Sequence, residues 1–153
     1  MSRAGRFLAS PSLHTPRSFP ADEPEPLVRL QQEHWDPLLD WARSSLHLEL
    51  TPSTGLLPTS QPPATVAALG TLLAGMSPWE LAAMDRATYA AKSVLVGLAL
   101  VRGRLSAEGA ARVAQVEVDS QIERWGQVED THDVDYEDVR RQLGSAAVLL
   151  ADS

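Results

Sequence analysis

The sequence predicts an all-α fold, a single bundle of about five to six helices. Three observations carry this. After residue 26, apolar residues recur at three- and four-residue spacing through most of the chain, which is the period of a helix face. No stretch alternates apolar and polar residues for more than a few positions, so no strand stands out. Ala and Leu are plentiful while aromatics make up 5% of the 153 residues, a balance that favours helix. With 44% hydrophobic residues, the chain has material for one domain with a core and little more.

The elements follow in order. Residues 1–21 hold Arg3, Arg6 and Arg17 and no acid, with Phe7, Leu8 and Leu13 among them. That is the composition of an organellar transit peptide, the alternative being a disordered tail, since Pro11, Pro16 and Pro20 interrupt any long helix. Residues 20–26 form an acidic, proline-rich boundary, and the helical domain is assigned to 22–153. Leu27, Leu30 and Gln31 begin a helical pattern that reaches Trp35. Asp36-Pro37 ends or restarts it, Asp36 acting as N-cap, and Leu38, Trp41 and Ala42 carry the apolar face to about Leu46. Residues 51–63 read as a loop, and Pro62-Pro63 opens a helix through Val66, Leu69 and Leu73 to Gly75.

Ser77-Pro-Trp-Glu80 has the pattern of a capping box with proline in the first turn. It is expected to open a central helix running unbroken to Val101 and stopped by Gly103. Ser106 is expected to cap a helix from Ala107 to Trp125-Gly126, and Asp133 or Asp135 a last helix through Val139, Leu143, Ala147 and Leu150.

Charge and composition exclude several functions. The chain has no cysteine, which rules out disulfides, thiolate catalysis and Cys-ligated zinc. Three of the 13 basic residues lie in 1–21, and all 20 acids lie beyond, so the body carries −10. Such a body repels nucleic-acid phosphates. The most apolar run, Val94 to Val101, is far shorter than the roughly 20 residues of a membrane helix and reads as buried core. No membrane insertion is expected, and a monomer is.

Two groups of residues invite a chemical reading. At about 100° per residue, Ala107, Ala111, Ala114, Val118, Ile122 and Trp125 share one arc, Val113 and Val116 a second, and Glu117 falls between them. A carboxylate flanked by apolar surface needs a partner. Lys92, the one lysine of the chain, has the same need, and the two are expected to meet. The pair could be a helix-packing salt bridge, or Glu117 a functional acid at a binding groove, or a catalytic acid. The second group is Glu129, Asp130, His132 and Asp133. It lacks the repeated ligands of a rigid metal motif, so it reads first as a capping turn, then as an interaction surface, and last as a metal site. Trp35, Trp41, Trp79 and Trp125 are expected as core or groove anchors, whereas exposed aromatics would indicate an interface.

Several features together carry a resemblance. They are Leu30-Gln31 followed by Trp35-Asp36-Pro37 and Trp41, then Thr51 to Thr54, Lys92-Ser93 and Gly103-Arg104-Leu105-Ser106-x-Glu108. The run from Glu117 through Gln121-Ile122, Trp125-Gly126, Val128-Glu129 and His132-Asp133 completes them. Over about residues 22–153 the chain resembles the C-terminal helical domain of the mitochondrial ATP synthase assembly factors that chaperone the alpha subunit. The resemblance implies a matrix protein that is not an enzyme, uses no cofactor or metal, and binds the unassembled alpha subunit to prevent its aggregation before it meets beta.

On that basis the candidate partner-binding residues are Glu117, Asp119, Gln121, Ile122, Trp125, Glu129, His132 and Asp133. Lys92, Trp35, Asp36 and Trp41 are candidates for structural or pairing roles. The chain departs from the family pattern at Val118, where an acid is expected, and at Ser120 and Asp130, where aromatics are. The family's β-rich N-terminal domain has no counterpart in 1–21. Two other functions are weighed: a truncated inactive or regulatory form, and a small metal- or acid-dependent hydrolase requiring Glu117, Glu129 and His132 to converge.

Overall fold

The structure, a computed structural model, describes residues 25–51, 61–126 and 131–151. Among them it forms eight helical segments and no strand: α1 Glu25–His34, α2 Asp36–Leu46, α3 Pro63–Ala74, α4 Pro78–Ala91, α5 Val94–Val101, α6 Ala107–Ala114, α7 Val116–Trp125 and α8 Thr131–Ala151. The all-α expectation holds, and the count exceeds five to six because two helices expected to be continuous are broken.

The first break is at Lys92, in the left-handed conformation with φ 52°. Ser93 restarts the chain, its Oγ accepting from the Val96 N–H at 3.3 Å. The consequence is visible nine residues apart. In a continuous helix Thr88 and Gly97 would be about 13.5 Å apart along the axis, yet a Cβ on Gly97 would lie 2.6 Å from Thr88 Oγ1. Thus α4 and α5 fold back on one another as a hairpin. The second break is at Gln115, whose φ −99° and ψ 1° leave the helical region and separate α6 from α7. A third junction corrects the Asp36 assignment: Trp35 occupies the cap position and Asp36 is the first residue of α2. The last helix begins at Thr131, ahead of both expected caps.

Other local signals act as read. The capping box is present, with Glu80 N–H donating to Ser77 Oγ at 3.2 Å and Ser77 N–H to Glu80 Oε2 at 2.7 Å. Ser106 caps α6 through the Gly109 N–H at 3.0 Å. Gly103, at φ +67°, ends α5 in a nested pair of bonds, Gly103 N–H to Leu100 O at 3.0 Å and Arg104 N–H to Ala99 O at 2.8 Å. A residue with a side chain is strained in that left-handed position. Gly75 follows α3. Thr51 and Gln61 bond reciprocally, backbone to side-chain amide, at 2.8 and 2.9 Å, which holds the end of the α2 segment beside the start of α3.

The core lies along α4 and α5. From Val94 to Leu100 every residue of α5 is buried, as its uninterrupted apolar sequence requires. α4 packs along both α5 and α8, α6 also rests on α8, and α7 rests on α1. Met84, Ala87, Val96, Leu98, Leu143 and Ala146 are almost wholly enclosed; each large one among them contributes roughly 1.5–3 kcal/mol by leaving water. No helix among the described residues is long and apolar enough to cross a membrane.

Candidate partner-binding surface

Helix α7 has little to bury. Val116 and Ser120 are enclosed, Val118, Asp119 and Ile122 are half-buried, and Glu117, Gln121, Glu123, Arg124 and Trp125 are exposed. Four residues advance a helix by about 40° beyond a full turn, so Glu117, Gln121 and Trp125 form one stripe on its outer side. At the end of the stripe the Trp125 ring is 74% exposed. The Arg124 guanidinium lies 4.7 Å from the ring centroid, a cation–π contact that keeps the indole against the helix while leaving a face open.

The inner side of α7 is acidic and faces α1. Both carboxylate oxygens of Glu123 accept from Arg29 Nη2 at 2.7 Å, linking residues 94 positions apart. Arg29 also lies 3.7 Å from Glu33 one turn on, and His34 Nε2 is 3.9 Å from Glu33 Oε1. Asp119 sits in the same seam. Burial pushes its carboxyl above the usual aspartate range, the charge of His34 opposes this, and Glu123 adds to it. A second ionic group is structural in position: Glu108 on α6 accepts from Arg140 at 2.9 Å and from the Tyr136 hydroxyl at 3.2 Å, both on α8.

The expected Lys92–Glu117 pair is not formed. Both side chains are exposed, and no ion pair joins them among those of the described residues. The expectation failed because it took α4–α5 and α6–α7 as straight helices; each break turns the side chain in question to solvent, where it needs no partner. Trp35 is buried and Trp41 half-buried against the core. Trp79 and Trp125 are instead exposed, by 60% and 74%. Asp119, Gln121, Ile122 and Trp125 share α7 with Glu117, though Asp119 points to the α1 seam. Glu129 lies outside the described residues, as do the side chains of His132 and Asp133, whose backbone falls in the first turn of α8.

Sequence reasoning missed Arg29 and Glu123. Neither stands in a motif, and a contact across 94 residues leaves no trace in local spacing. The one available hint is that Glu123 belongs to the helix carrying the named candidates.

No protein-family model matches the chain. Among curated proteins it is 32% identical over 126 residues to the mitochondrial protein atp12 of Schizosaccharomyces pombe, a match covering 80% of this chain and 43% of that protein. It is 33% identical over 87 residues to mitochondrial ATP12 of Saccharomyces cerevisiae, covering 50% of this chain and 27% of the relative. Among solved structures, Atp12 from Paracoccus denitrificans superposes with a TM-score of 0.85 at 29% identity, over 97% of this chain and 63% of that one. A candidate chaperone from Agrobacterium tumefaciens superposes at 0.80 with 31% identity, over 99% and 56%. The chain therefore spans less than two thirds of each relative. The sequence and fold together agree with the family that its motifs resemble: the chain belongs to the Atp12 family.

Proposed function

We propose that this protein is an assembly chaperone of the mitochondrial ATP synthase that binds the unassembled alpha subunit through the outer stripe of α7. The observation that carries the reading is Trp125. A folded domain leaves a tryptophan 74% exposed at the cost of keeping a large apolar face in water, and aromatic residues are the usual anchors of protein interfaces. Glu117 and Gln121 beside it supply polar contacts, and the net charge of −7 keeps a loaded complex soluble. Release requires that the beta subunit compete for the same apolar surface; no bond is made or broken. Membership of the Atp12 family supports the assembly role and the mitochondrial location.

The experiment is capture of unassembled alpha subunit by the full chain. Wild-type protein is expected to retain alpha and suppress its aggregation, with Trp125→Ala and Glu117→Lys failing to do so. Equal capture by all three would overturn the surface assignment, and no capture by wild type would overturn the function.

A further inference from the structure

The C-terminal turn of α7 carries the proposed anchor, yet little secures it. Val116 and Ser120, the enclosed residues of the helix, lie in its first half. From Glu123 to Gly126 every residue is exposed. Among the described residues, the Arg29–Glu123 contact is the side-chain hydrogen bond or ion pair that ties positions 121–126 to another helix. It falls two residues before Trp125. On the far side, α1 is itself seated by Leu30 and Gln31 and runs into the buried Trp35, so Arg29 projects from a fixed base.

We propose that Arg29, through Glu123, is a positioning residue for client binding: it holds the last turn of α7 so that Gln121 and Trp125 present one continuous surface. This deepens the reading of α7 as the client surface and rests on it. An exposed ion pair contributes little to global stability, so its job is local. A surface held in its binding conformation avoids the ordering penalty that a fraying helix end incurs on association. Nothing about Arg29 requires that it touch the client.

The test compares full-length wild type, Arg29→Ala, the charge-exchanged double variant Arg29→Glu with Glu123→Arg, and Trp125→Ala. Amide hydrogen exchange over 116–126, thermal unfolding and affinity for unassembled alpha subunit are read for each. Arg29→Ala is expected to unfold at the wild-type temperature, to exchange faster within 121–126 while 116–120 is unchanged, and to bind alpha about fivefold more weakly. The exchanged pair is expected to restore slow exchange and most of the affinity, which a role in contacting the client would not permit. Wild-type exchange and affinity in Arg29→Ala, with binding lost in Trp125→Ala, would overturn the proposal and leave the client surface standing. Undiminished binding by Trp125→Ala would remove the surface reading and the proposal together.

Discussion

Gly97 and Thr88 touch across the α4–α5 hairpin so closely that a single methyl group has no room between them. A Cβ at position 97 would meet Thr88 Oγ1 at 2.6 Å, the Thr88 backbone nitrogen at 3.2 Å and Met84 Sδ at 3.3 Å. Gly97→Ala gains helix propensity worth about 1 kcal/mol, but overpacking of an enclosed site costs about 1–3 kcal/mol, and the clash with the enclosed Thr88 hydroxyl should win. A net loss of up to about 2 kcal/mol in denaturant unfolding is expected. Adding Thr88→Ala should recover part of it, giving a coupling energy in a double-mutant cycle. The Thr88 hydroxyl is also buried without a hydrogen-bond partner, so Thr88→Val should be neutral or stabilising.

Trp125→Ala tests whether the ring belongs to the core or the surface. An enclosed tryptophan costs about 3–5 kcal/mol on truncation. At 74% exposure the loss should stay under roughly 1 kcal/mol, measured by urea unfolding. A loss in the larger range would place the indole in the core and remove the argument for an interface.

Lys92→Gly separates a left-handed turn from a salt bridge. Lys92 sits at φ 52°, where glycine avoids the penalty a side chain meets, about 1–2 kcal/mol. The variant is therefore expected to melt at or slightly above the wild-type temperature, glycine's greater freedom in the unfolded chain offsetting part of the gain. A clear drop would show that the ammonium has a partner.

Two carboxylates should give opposite pH dependence. The Glu80 carboxyl is held below its usual range, first by the Ser77 N–H, with burial opposing. Its contribution is present above the unfolded value of 4.5 and disappears as pH falls through the lower folded value. The Asp119 carboxyl is raised, chiefly by burial. It destabilises above its folded value, and that penalty is relieved as pH falls toward the unfolded value of 3.8, because the folded state binds the proton more tightly. Asp119→Asn should accordingly stabilise at neutral pH and lose its advantage near pH 3.8, as read from unfolding curves across that range. Ser77→Ala should cost about 1 kcal/mol at neutral pH.

What could be read from sequence was the chemistry that acts within a turn or two. Ser77 with Glu80, Ser106 and Gly103 each announce a helix end by residue type, and each lies where that type is needed; Gly75 also marks a helix end, at a negative φ open to any residue. The burial of α5 follows from its having no polar face. The breaks at Lys92 and Gln115 were hidden because neither is a glycine or proline; they form because tertiary packing, Gly97 on Thr88 in the first case, outweighs helix propensity. Misplacing them rotated Lys92, Glu117 and Trp125 inward. The seam of Arg29, Asp119 and Glu123 was out of reach for another reason, since its members meet only after α1 and α7 are docked.

The packing of α8 on α4 has a consequence for the protein's own biogenesis. α8, which carries the enclosed Leu143 and Ala146, packs along α4 and follows it in the chain by roughly forty residues. A chain emerging amino end first exposes that flank of α4 until α8 has been made, and such half-covered species are prone to aggregate. The order in which α4 and α8 are synthesised thus leaves a window in which the future core of the bundle stands open to neighbouring chains.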